Sequence, residues 1–110
     1  MYLKYWTTET QALDLQEVDL YGWEAWQSRR KVRQFVKALE AGAIFPAVAV
    51  ESVAEAGYYL VPRVTNDLDR VDGGHHRAVA HYIAGVPLPA RVQEIAAIPE
   101  GNFVPIDGLA

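Results

Sequence analysis

Val71-Asp72-Gly73-Gly74-His75-His76-Arg77-Ala78-Val79-Ala80 reads as a β-strand that passes through two glycines into the first turn of a helix. Glycine permits a backbone turn at positive φ and lets a ligand come close to the main chain. The opening turn of a helix presents N–H groups with no intrahelical acceptor and the positive end of the helix dipole, so this junction has the chemistry of an anion site. Arg77 adds a planar fork of donors suited to phosphate or carboxylate. Val79, Tyr82 and Ile83 follow at helical spacing and predict one apolar face, which Gly85 and Pro87 bring to an end.

Outward from this junction the pattern alternates between strand and helix. Residues 2–6 and 12–20 read as short extended segments separated by the polar Thr7-Thr8-Glu9-Thr10. Ser28 is a suitable N-cap for a helix in which Val32, Phe35, Val36 and Leu39 recur at i, i+3, i+4 and i+7, with Gly42 as its stop. Residues 46–50 read as a buried strand and residues 58–61 as another, with Gly57 marking the turn; residues 52–56 suit one helical turn or a loop. A polar Thr65-Asn66-Asp67 turn suggests a hairpin between 58–64 and 68–72. Residues 88–95 resemble a closing strand, and the last residues, 96–110, a turn-rich tail. The expectation is a small α+β fold, one domain over residues 1–110, with helices packed on a mixed β-sheet.

Composition narrows the function classes. The chain has 110 residues, 51% of them hydrophobic, enough for one core and too few for two ordinary domains. A formal net charge of -4 gives no global positive field for nucleic acid, so any such contact must be local, through a patch such as Ser28-Arg29-Arg30-Lys31-Val32-Arg33. With no cysteine there is no disulfide, thiolate metal site or cysteine nucleophile. No apolar run approaches the roughly 20 residues of a membrane span, and the start lacks the apolar core of a signal peptide. A cytoplasmic protein without a membrane partner is expected.

The helix Arg30-Lys31-Val32-Arg33-Gln34-Phe35-Val36-Lys37-Ala38-Leu39, the stretch Phe45-Pro46-Ala47-Val48-Ala49-Val50, the strand Tyr58-Tyr59-Leu60-Val61, the signature Asp72-Gly73-Gly74-His75-His76-Arg77 and the stretch Gly85-Val86-Pro87-Leu88-Pro89-Ala90-Arg91-Val92 occur in one order over residues 17–95. In that order they resemble the ParB/sulfiredoxin superfamily of small α+β domains. The resemblance implies that the signature loop and helix start bind nucleotide phosphates, with ATP or CTP as cofactor and Mg²⁺ assisting. Members use the site as a CTP-driven clamp, as an ATP-dependent sulfinic acid reductase, as a free-serine kinase or as a nuclease. The reductase's catalytic cysteine falls on His75, so that chemistry is not expected, and no helix-turn-helix follows in this sequence, so a full segregation protein is not expected either. The stretch from Pro62 to Arg70 looks like an insertion before the signature.

The candidate phosphate-binding residues are therefore Gly73, Gly74, His75, His76, Arg77 and Lys31, and the candidate catalytic residues Asp72, His76 and Glu24. Gly73 and Gly74 serve a tight turn as readily as a ligand. Arg77 fits phosphate, or an ion pair with Asp72 or Asp69. His76 reads as lining the site and His75 as either lining it or packing beneath the loop. Adjacent histidines on a helix diverge, and His81 lies i+5 from His76, so no metal site is expected and His81 reads as structural or exposed. Asp72 suits a water-mediated Mg²⁺ contact, proton acceptance from a hydroxyl, or a helix cap. Lys31 occupies a position from which the resemblance implies contact with phosphates, and it also suits a solvated helix face. Glu24 precedes the helix where kinases of the superfamily place an acidic group. Trp23 and Trp26 suit base stacking or packing, and Glu51 and Glu55 solvation.

Two functions follow as expectations. One is a nucleotide-phosphate-binding domain, with phosphotransferase/ATPase or nuclease turnover resting on positioning and charge neutralisation. The alternative is a non-enzymatic regulatory module that binds DNA or a DNA-handling partner protein through the Arg29 to Arg33 cluster.

Overall fold

The computed structural model describes residues 9–23, 28–61 and 74–110. Asp14 starts the fold by ending its first strand: its carboxylate accepts the Gln16 N–H at 3.0 Å and its carbonyl accepts from both Glu17 and Val18, an Asx-type turn. The turn separates strand β1 (Thr10–Leu13) from strand β2 (Leu20–Trp23). The extended segment expected over 12–20 is thus two strand ends around a turn, and Thr10 belongs to β1 rather than to a polar spacer. The expected strand over 2–6 and the hairpin beyond Val61 lie outside the described residues.

Helix α1 (Arg29–Glu40) begins where its cap predicts, with the Ser28 hydroxyl accepting the Lys31 N–H at 3.2 Å. Val32 and Leu39 are its buried residues, and Phe35 and Val36 pack beside them. Strand β3 (Val48–Val53) starts later and runs longer than expected, taking in Ser52 and Val53. A turn over 54–56, with Glu55 at φ 66°, leads into β4 (Gly57–Leu60). Gly57 opens that strand rather than preceding it. A Cβ there would lie 2.9 Å from the Asp19 carbonyl oxygen, which accepts the Tyr58 N–H at 2.8 Å where β2 begins.

Helix α2 (His75–Ala84) ends on Gly85 at φ 70°, as expected. Its apolar face differs from the expectation. Ile83 is 50% exposed, while Ala78, Val79, Ala80 and His81 are buried, because α1, the strand Leu88–Ile95 and the C-terminal helix Ile106–Leu109 all pack against α2. Strand β5 (Leu88–Ile95) has the expected bounds. The turn-rich tail expected over 96–110 takes on regular structure in its second half: Phe103–Pro105 forms β6, and Ile106–Leu109 forms a short helix, α3, whose Ile106 joins the core.

The six strands among the described residues make one mixed sheet in the order β1-β5-β3-β4-β2-β6. β3 runs parallel to β5 and β2 parallel to β4, and the other neighbours are antiparallel. Alternation separates the two faces. Val48, Val50, Leu60, Leu88 and Ala90 are fully buried in the core shared with the helices. In the β2–β4–β6 half, the register places Tyr21, Trp23, Tyr59 and Phe103 together: Tyr21 stacks on Tyr59 at 5.0 Å, and Phe103 meets Tyr59 and Trp23 edge-on at 5.1 and 6.4 Å. This aromatic row holds the short strand β6 against β2. Among the described residues no helix is long and apolar enough to cross a membrane.

Candidate functional site

Gly74 is the N-cap of α2 and sits in the left-handed region at φ 89°, ψ 11°. A Cβ here would lie 2.4 Å from Val48 Cγ1, so the position requires glycine both for its dihedral angles and for its packing on β3. The start of α2 is thereby pressed onto the first residue of a buried strand. Its first turn, from His75 onward, carries no acidic residue to offset the positive end of the dipole.

Arg77 lies in that turn and is half-buried. Its Nη1 donates to the Pro46 carbonyl at 3.0 Å, and its Nη2 lies 3.3 Å from where a Gly74 Cβ would stand. The guanidinium therefore folds back over the helix start and bridges it to the segment entering β3. Pro46 and Val48 thus shape the site, yet only their place before and within a strand is visible in sequence.

The two adjacent histidines point into the protein. His75 is 1% exposed and its Nε2 accepts the Trp23 N–H at 2.9 Å; His76 is 9% exposed and its Nε2 accepts the Ser28 N–H at 3.0 Å. Both acceptor roles require an unprotonated Nε2, which puts the proton of each neutral ring on Nδ1. His75 Cδ2 lies 3.0 Å from where a Cβ of Gly22 would be, so a glycine in β2 makes room for the ring. His76 meets the N-cap of α1. The first turn of α2 is in this way hydrogen-bonded to the last residue of β2 and the residue that starts α1.

His81, one turn further, is 2% exposed; its Nδ1 lies 2.6 Å from the Arg77 carbonyl oxygen, to which it donates, and its ring meets Phe45 edge-on at 5.9 Å. Burial holds its pKa below the ordinary imidazole value, against the opposing effect of the Arg77 carbonyl and with a smaller lowering from the Arg77 charge. It is a structural residue, one of the two roles expected of it.

Lys31 is half-buried on the first turn of α1, its Nζ 5.6 Å from the centre of the Phe35 ring. Its backbone is tied to Ser28 and through Ser28 to His76, so it stands one turn of α1 from the α2 start. Arg29, Arg30 and Arg33 are exposed. Trp23 places its ring against Phe103, in packing. Glu51 is half-buried and Glu55 exposed. Asp72, Gly73, Glu24 and Trp26 lie outside the described residues.

The arrangement is a neutral-to-cationic helix start: a glycine cap, an arginine folded over it, and two inward imidazoles that fix its surroundings. A helix start of this charge favours an anion, and of the four residues that form it only Arg77 is more than marginally exposed. Among the described residues no three His, Asp or Glu side chains gather as a metal site. No protein-family model matches this chain, and neither a curated protein nor a solved structure matches it significantly.

Proposed function

We propose that the start of α2 binds the phosphates of a nucleotide, ATP or CTP, as in a ParB/sulfiredoxin-like domain. The observation that carries this reading is the Gly74–Arg77 unit: a left-handed glycine cap held against Val48, with the Arg77 guanidinium turned back over the same turn. Backbone N–H groups, the helix dipole and a bidentate donor then act on one anion. Gly73 and Lys31 are the further phosphate contacts in this reading, and Asp72 is the residue that would hold Mg²⁺. The metal, when bound, would neutralise phosphate charge. Phosphoryl transfer or phosphodiester hydrolysis is the activity proposed for the loaded site, with Asp72 or Glu24 as proton acceptor.

His75 and His76 have a narrower part in this reading than direct phosphate contact or proton transfer. Their Nε2 atoms already accept backbone N–H groups, so they orient the walls of the site. Calorimetric titration with ATP, CTP, ADP and GTP, with and without Mg²⁺, tests the proposal. Binding that disappears in Arg77→Ala while the variant stays folded is the expected result; unchanged binding in that variant defeats the assignment. The second reading, a non-enzymatic module that binds DNA or a partner protein, is favoured by the exposed cations of α1.

A further inference from the structure

Arg29, Arg30, Lys31, Arg33 and Lys37 all lie on α1, and they are half of the ten Lys and Arg residues in a chain of net charge -4. At ~100° per residue, Arg29, Arg30, Arg33 and Lys37 fall within an arc of about 100°. The centre of that arc lies about 120° around the helix from the centre of the apolar stripe of Val32, Phe35, Val36 and Leu39, with Arg29 at the edge nearest Val36. All four side chains are exposed, and no ion pair among the described residues engages them. The helix has one acidic residue, Glu40, at its far end.

As a purely structural surface this arrangement is unfavourable. Cations in the first turn oppose the helix dipole, and Arg29–Arg33 and Arg33–Lys37 are like-charge pairs at i, i+4. Lys37, in the last turn, suits the dipole, so the cost falls on the first turn, where glutamate at position 29 would remove both the dipole conflict and the like charge facing Arg33. A local cost without a local gain points to a ligand of opposite charge. Two absences on this face narrow its class. Among the described residues the exposed large hydrophobic ones are Ile44, Ile83 and Ile98, none of them on α1, so the face as described lacks the apolar anchor that a protein interface centres on. Among the described residues this face also has no exposed aromatic ring on which unpaired bases could stack.

We propose that the exposed face of α1 docks on the phosphate backbone of a nucleic-acid duplex, independently of base sequence. Arg29, Arg30, Arg33 and Lys37 make the phosphate contacts, three of them through guanidinium forks. This inference rests on the second reading above, whose partner it names, and stands apart from the nucleotide site at α2, which lies on another helix and uses Arg77.

The test is fluorescence anisotropy of the whole chain with a labelled mixed-sequence DNA duplex of about 30 base pairs, between 50 and 200 mM salt. With four phosphates neutralised, the logarithm of affinity falls against log salt with a slope of about -3.6, roughly a hundredfold over that range. The variant Arg29→Gln/Arg33→Gln, whose glutamines keep helix propensity, is expected to lower affinity at 50 mM salt at least tenfold and to halve the slope. Arg77→Ala is expected to leave duplex binding unchanged even where it abolishes nucleotide binding. Absence of binding at 50 mM salt, or a salt slope unaltered by the double variant, overturns the proposal. So does tighter binding of poly-glutamate than of the duplex at matched charge and salt, which would assign the face to an acidic protein segment instead.

Discussion

His76 Nε2 accepts the backbone N–H of Ser28 across 48 positions of chain, at 3.0 Å, and thereby joins the first turn of one helix to the cap of another. Ser28 is held at both ends of its residue: its N–H goes to the imidazole, and its hydroxyl takes the Lys31 N–H. His76→Ala leaves a partly buried donor without that acceptor and should cost about 1–3 kcal/mol. His76→Gln supplies a carbonyl oxygen of similar reach and should recover part of the loss. Urea unfolding of the three proteins measures both, and equal stability of all three would mean the hydrogen bond contributes nothing.

His81 sets a direction for the pH dependence. Burial lowers its pKa in the folded state below the ordinary value near 6.5, so between those two values the unfolded chain binds the additional proton. Its contribution is complete above pH ~6.5 and is lost as pH falls from there toward the folded-state value. Stability should therefore decline between neutral and mildly acidic pH, and His81→Phe, which keeps the edge contact with Phe45, should flatten that decline. Urea midpoints at intervals from pH 7.5 to 5 read the slope; an identical slope in the variant would exclude His81 as its source.

Local signals carried much of this fold. Ser28, Gly42 and the 32-35-36-39 stripe define α1 because cap, stop and period agree within one segment, and the run to Gly85 ends α2 for the same reason. Ile106 was not legible in that way. It belongs to a short segment after several turn residues, and only tertiary contact shows that it completes the core. The site divides likewise. Gly74 and Arg77 can be read from glycine and guanidinium chemistry alone, whereas the inward direction of His75 and His76 depends on β2 and α1 arriving beside α2. No local property of a histidine pair announces a backbone donor 48 or 52 positions away.

Gly74→Ala combines two penalties. A left-handed alanine costs roughly 1–2 kcal/mol, and its Cβ would stand 2.4 Å from Val48 Cγ1, a contact that a buried strand residue cannot simply vacate. A total of about 2–4 kcal/mol is expected. Val48→Ala removes the opposing methyls at its own cavity cost, and the pair should be less destabilising than the sum of the singles by about 1 kcal/mol or more. A double-mutant cycle measures this coupling, and strict additivity would mean the helix start shifts freely away from β3.

Charge reversal on α1 separates its stability from its proposed binding. Arg29→Glu places a carboxylate in the first turn, where the helix dipole favours it, and puts it i, i+4 from Arg33 in place of a like charge. The variant should be about 0.5 kcal/mol more stable than the natural chain, with a slightly raised Tm. Duplex binding should fall by more than tenfold at 50 mM salt, because one phosphate contact becomes a repulsion. A gain in stability with a loss of binding is the signature of a residue retained for a ligand. Unchanged stability would show that the first-turn arginine carries no electrostatic cost, and the argument from local unfavourability would lose its premise.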